Sequence, residues 1–122
     1  MVSEDMIVRN EVMNDGSSIH LYFSKMFKAY VAYGYSAFIA VQNGMILNAE
    51  PLEEGYSEEL QMPMVKVNQK QLALISDKCM EMKDASDDKD YLHLQSYIPF
   101  DERKYSEWAE RLRETAQLSL IQ

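Results

Sequence analysis

Few side chains in this chain offer the nitrogen or sulfur that binds zinc or shuttles a proton near neutral pH: two histidines, His20 and His93, and one cysteine, Cys79. A structural zinc site takes four such ligands, and a lone thiol with two histidines distant in sequence falls short. The acidic run from Asp84 to Asp90 fails as a calcium loop, because an EF-hand starting at Asp84 needs glycine where Lys89 stands and glutamate where Gln95 stands. No metal and no cofactor is expected. Nucleophilic catalysis asks for a base next to a serine, cysteine or carboxylate, and neither histidine has such a partner at recognisable spacing. Walker, dinucleotide-binding, nucleophile-elbow and zinc-protease motifs do not occur, so catalysis is not expected.

The chemistry that remains is non-covalent and concentrates between Ile19 and Val41, which holds seven of the thirteen aromatic residues and only two charges, Lys25 and Lys28. Phe27 lies between those two cations. A ring that wedges into a base step, with ammonium groups holding the adjacent phosphates, is one way to grip a nucleic acid, and Tyr22 adds a stacking surface. The competing reading makes Phe27 the first core residue of a helix. Tyr33 and Tyr35 suit a protein interface, since tyrosine offers an apolar body and a polar tip.

The elements that must position these residues follow from periodicity. Residues 1–18 read as an N-terminal arm ending in the turn formers Asn14-Asp15-Gly16-Ser17-Ser18. Ile19, Leu21 and Phe23 alternate with His20, Tyr22 and Ser24, which predicts a strand. Phe27, Tyr30, Val31, Gly34, Phe38 and Val41 then fall on one helical stripe, predicting a helix from about Met26 to Gln42 capped by Asn43-Gly44. A hairpin is the alternative, because Tyr30, Val31, Tyr33 and Tyr35 favour strands. Met45–Ala49 suits a short strand, Glu50–Glu59 a loop, and Met62–Val67 a strand. Asn68 with Gln71 forms a capping box for a helix running to about Lys83. Tyr91–Ile98 alternates as a strand, Pro99 stops it, and Asp101 caps a last helix whose buried stripe is Tyr105, Trp108, Leu112 and Ala116, with Glu107 and Arg111 as an exposed pair.

The expected fold is α+β: a small mixed sheet of about four strands with about three helices, in the order β-α-β-β-α-β-α, within a single domain. At 122 residues the chain has room for one core. No apolar run is long enough to cross a bilayer and no signal-peptide pattern opens the chain, so the expected compartment is the cytoplasm. A net charge of −8 repels polyanions on average, yet no acidic residue falls between Asp15 and Glu50.

The order of elements, and two junctions, resemble the N-terminal domain of MutS-type DNA mismatch-repair proteins, over residues 19–98. That family carries Gly-Asp-Phe-Tyr-Glu where a strand opens a long helix; here Tyr22-Phe23-Ser24-Lys25-Met26-Phe27-Lys28-Ala29 stands in that place, with Phe27 matching the phenylalanine. Its later Pro-Met-x-Gly-Ile-Pro segment is matched by Pro63-Met64-Val65-Lys66-Val67-Asn68. The resemblance implies a DNA-contacting binding module in which Phe27 wedges beside a base; Ala29 lacks the family's glutamate, and Lys25-Met26 replaces its Gly-Asp. The alternative is a protein-interaction or homodimerisation domain without nucleic acid.

Overall fold

The computed structural model describes residues 3–47, 50–83 and 90–121, with side chains through Leu118. Among the described residues, four helices alternate with three pairs of strands: α1 (Glu4–Val12), β1 (Ser18–Ser24), β2 (Ala29–Tyr33), α2 (Gly34–Ile46), β3 (Glu53–Ser57), β4 (Met62–Val67), α3 (Gln69–Asp77), β5 (Met80–Met82), β6 (Tyr91–Gln95) and α4 (Glu102–Ile121). The strands form one antiparallel sheet in the order β3-β4-β2-β1-β6-β5.

This corrects the expected fold within the α+β class: the described residues hold six strands rather than about four and four helices rather than about three, and every strand pair among them is antiparallel. The decisive difference lies at the Lys25 junction. The chain does not wind into a helix at Met26; it reverses through Lys25–Lys28 and returns as β2, with Tyr22 opposite Val31 and Phe23 opposite Tyr30. Lys28 takes the left-handed conformation (φ 53°) that closes the turn, and Ser24 Oγ accepts from the Phe27 amide at 3.3 Å. The helical stripe misled because residues 29–33 are apolar on both strand faces, a pattern that satisfies either period. Gly34, at φ 56°, turns the chain out of β2 into α2.

Other expectations shift for similar reasons. The N-terminal arm contains α1, whose Ser3 side chain caps the Met6 amide. Asn43-Gly44 is not a cap: α2 continues to Ile46, so Met45 and Ile46 are helical rather than a strand, and residues 48–49 lie outside the described residues. Asn43 is instead buried, its Nδ2 donating to Ser96 Oγ at 3.0 Å. The acidic segment 50–59 holds edge strand β3, and α3 stops at Asp77, with β5 following where helix was expected. The last strand ends at Gln95 rather than Ile98. The acidic run 84–89 lies outside the described residues. Strand β4, the Asn68–Gln71 capping box and the Asp101 cap on α4 stand where the sequence places them.

One sheet face carries the core. Ile19 and Leu21 of β1, Ala32 of β2, Val65 and Val67 of β4 and Leu94 of β6 pack beneath Ala37, Phe38, Ile39 and Ala40 of α2, with Ile75 of α3 and Trp108 of α4 closing the cluster. Each such large aliphatic side chain, fully withdrawn from water, contributes about 1.5–3 kcal/mol. On the opposite face lie His20, Tyr22 and Val31, and α1 is fixed there by a hydrogen bond from Asn10 Nδ2 to Tyr22 Oη at 3.0 Å.

Candidate functional site

The first candidate is the 25–28 turn. Phe27 is exposed at 39 %, so the reading that made it a core residue is overturned. Its ring is held by Lys66, whose Nζ sits 3.9 Å from the ring centre. A hollow beside it is lined by Phe27 and Lys28, and by Glu50, Glu53 and Lys66. Lys66 also reaches Glu53 Oε1 at 3.4 Å, so carboxylates share the place where phosphates would sit. Lys25 and Lys28 are exposed on the turn. Tyr22 is not with them in space: it is 3 % exposed beneath α1, and burial raises its phenol well above the ordinary value of 10. It has no free face on which a base can stack. Replacing the exposed Phe27 with alanine is expected to change stability by no more than about 1 kcal/mol, the scale of one cation–π contact. A thermal melt checks this, and an unfolded variant would restore the core reading.

The tyrosines assigned to an interface are half-buried and make ring contacts within the chain. Tyr33 tilts against Tyr22 at 6.2 Å, while Tyr35 tilts against Phe100 (4.5 Å), meets Tyr105 edge-on (4.7 Å) and donates to Glu102 Oε1 at 3.1 Å.

The two histidines, distant in sequence, meet in the sheet. The β1/β6 register sets His20 directly opposite His93, with ring centres 4.5 Å apart. His20 Nδ1 lies 2.7 Å from Tyr91 Oη, and His93 Nε2 lies 2.9 Å from Ser18 Oγ. The latter distance suits a nucleophile–base pair, but acyl transfer also needs an oxyanion site. Here the Ser18 amide, the donor that would have to face an oxyanion, is directed at Asn14 Oδ1 at 3.4 Å. The cluster acts as a cross-strand polar lock. Among the described residues no group of three or more histidine, cysteine or acidic side chains is placed to hold a metal.

A buried carboxylate that sequence periodicity did not single out lies nearby. Glu11, on α1, accepts from the Ser36 amide at 3.0 Å and from Ser36 Oγ at 2.6 Å, both in the first turn of α2. Asn14 Nδ2 adds a third donor at 3.3 Å. Ser36 Oγ in turn accepts from the His20 amide at 2.9 Å. The reason is topological: β1 pairs with β2 only from Tyr22 onward, so the edge of β1 before Tyr22 needs another partner, and Ser36 supplies it. Burial raises the Glu11 carboxyl from 4.5 to about 7, against the downward pull of the bonds from Ser36 and Asn14.

An apolar opening lies elsewhere, between α2 and α4. Phe38, Val41, Met45, Ile46, Ile98 and Trp108 line a groove of about 500 Å³ whose rim carries Glu54, Lys104, Glu107 and Arg111. Trp108 Nε1 donates to Glu54 Oε2 at 3.0 Å, which fixes the indole as one wall. Met45 is 73 % exposed and Ile46 68 %. Gln42 also lines the groove, and its Oε1 is buried with no hydrogen-bond partner among the described residues.

Comparison with protein-family models, with curated proteins and with solved structures finds no match. The site therefore rests on its own geometry. Sequence reasoning missed the groove because Met45 and Ile46 were assigned to a strand, and it missed Glu11 because that residue's partner lies across the fold. The only local signal for the groove was a run of apolar residues continuing past Gly44.

Proposed function

We propose that this chain is a non-catalytic, cytoplasmic binding module that takes an apolar segment of a protein in the α2–α4 groove. The observation that carries this reading is the exposure of Met45 and Ile46 at the mouth of an apolar floor made by Phe38, Val41 and Trp108. Contiguous exposed apolar surface with a polar rim marks interaction sites, and methionine adapts its shape to varied partners. The cytoplasmic part of the proposal rests on the single unpaired thiol, Cys79. No helix among the described residues is long and apolar enough to cross a membrane.

A photo-crosslinking side chain placed at Met45 in the full chain, irradiated in cells, tests the reading. Polypeptide adducts are expected from position 45 and not from Lys70, on exposed α3. Changing neighbouring Ile46 to glutamate should reduce the adducts at least about tenfold, a shift of about 1.4 kcal/mol. If no adduct forms at position 45, the groove is not a docking site.

A second reading, DNA contact of the kind the MutS resemblance implies, is favoured by one observation: Phe27 projects from a turn between two exposed lysines. Glu50 and Glu53 beside it, and the overall charge of −8, weigh against it. Mobility shifts with duplex, mismatched and single-stranded oligonucleotides at low salt decide this, because phosphate contacts weaken steeply as salt rises.

A further inference from the structure

We infer that the occupant of the α2–α4 groove is a second copy of this chain, docked antiparallel along α4 about a two-fold axis at the level of Ala109. This rests on the reading of the groove as a docking site and names its partner.

The argument starts from the exposed stripe of α4. Lys104, Glu107, Arg111, Glu114 and Leu118 follow one another at alternating spacings of three and four residues, which places them in a single line along the helix. All five are exposed, and Leu118 is 62 % exposed. The line flanks the groove, since Lys104, Glu107 and Arg111 also form its rim. Its charges alternate from Lys104 to Glu114, so the stripe is locally neutral on a chain of net charge −8. Here two copies approach without the repulsion that the rest of the surface imposes.

The alternation is also self-complementary. When two α4 helices run antiparallel about an axis level with Ala109, Lys104 of one copy meets Glu114 of the other, and Glu107 meets Arg111. The two-fold then repeats each pair. A two-fold interface requires this property of a single surface, and lines of charge along helix seams set partner orientation in this way. The same register carries Leu118 of each copy past the start of the other's α4, to the level of Phe100. Ile98 lies just beyond and lines the groove with Met45 and Ile46. One register thus satisfies both the charges and the apolar end.

Two features of the single chain agree. Lys104, Arg111 and Glu114 have no ion-pair partner among the described residues. Glu107 is paired only with Arg103 at 3.5 Å, both largely in water, a contact that is readily given up. The unpartnered Gln42 Oε1 in the groove wall leaves an acceptor for a donor brought by the other copy.

Sedimentation of the full chain over roughly 1–100 µM, the range in which modest interfaces are half-formed, tests the proposal. The native chain should reach a dimer. Arg111→Glu alone and Glu107→Arg alone each place like charges opposite one another twice, and each should weaken association by at least about tenfold. Mixed in equal amounts, these two variants form only opposite-charge pairs and should associate at least as tightly as the native chain. A mixture of Arg111→Glu with Glu114→Lys carries the same total charge but mismatches two of the four pairs in this register, and it should stay weak. Circular dichroism melts establish that each variant is folded. A native chain that stays monomeric throughout, or a mismatched mixture that associates as well as the matched one, overturns the proposal. If it is monomeric and position 45 still cross-links to a different polypeptide, the second copy is ruled out while the groove stands as a docking site. If position 45 gives no adduct at all, both readings fall.

Discussion

Replacing Glu11 with alanine is expected to cost about 3 kcal/mol of folding stability, because the change strands buried donors rather than simply deleting a contact. The Ser36 amide, Ser36 Oγ and Asn14 Nδ2 all point at this carboxylate. Asn14 keeps the Ser18 carbonyl as a second acceptor, but the Ser36 amide belongs to the first turn of α2, which has no acceptor of its own within the helix. Glu11 is also the link that fixes α1 to the start of α2, so backbone amides of α1 should exchange with solvent far faster in the variant while those of β1 and β4 remain protected. Chemical denaturation checks the first expectation and hydrogen exchange the second. A loss below about 1 kcal/mol would mean that water replaces the carboxylate at little cost.

The same residue makes stability depend on pH, and the sign follows from its surroundings. Burial favours the neutral acid, so the folded chain holds the Glu11 proton up to about pH 7 while the unfolded chain releases it near 4.5. The contribution is therefore fully present below 4.5 and is lost as pH rises through 7, by about 3 kcal/mol in all. Glu11→Gln retains an acceptor for the Ser36 amide and cannot ionise. The native chain should accordingly lose stability relative to Glu11→Gln between pH 4.5 and 8. A constant difference across that range would show that the hydrogen bonds and the positive end of α2 hold the group in its charged form.

How much of this was legible in the sequence depended on whether the signal was local. The Asn68–Gln71 capping box and the Asp101 cap each involve residues three apart, and both stand as read. Strand β1 was legible because its faces differ: Ile19 and Leu21 enter the core while His20 and Tyr22 face the other way. Strand β2 was not, since Val31 and Ala32 are both buried, on opposite faces, and strand and helix periods then coincide. Strand β3 hid because an edge strand with Glu53 and Glu54 exposed has no apolar face to display. The pairing of His20 with His93, the grip of Glu11 on Ser36, and the α2–α4 groove all join residues far apart in the chain. The topology creates those contacts, and no spacing announces them.

The glycine at position 16 offers a sharper test of how that topology is held together. Gly16 sits at φ 95° in the turn after α1, and a Cβ placed there would lie 2.6–2.8 Å from the Cγ, Cβ and Cδ1 atoms of Phe100. Alanine at this position meets two separate penalties: the left-handed backbone, about 1–2 kcal/mol, and a collision that only movement of Phe100 can relieve, on the scale of about 1–3 kcal/mol for an overfilled core. A combined loss of about 3 kcal/mol is expected. The displacement would not stay local, because Phe100 packs on Tyr35 at 4.5 Å and on Phe38 at 6.0 Å, immediately before α4. The environment of Trp108, in ring contact with Phe38 at 5.3 Å, should change with it, so tryptophan fluorescence ought to shift in the still-folded variant. Gly44→Ala is the matched control. A Cβ there meets nothing within 4 Å, and in the interior of α2 the exchange should stabilise the chain by up to about 1 kcal/mol. Opposite signs for the two substitutions are the expected result. If Gly16→Ala proves as stable as Gly44→Ala, the turn and the start of α4 are not in the close contact that anchors one wall of the groove.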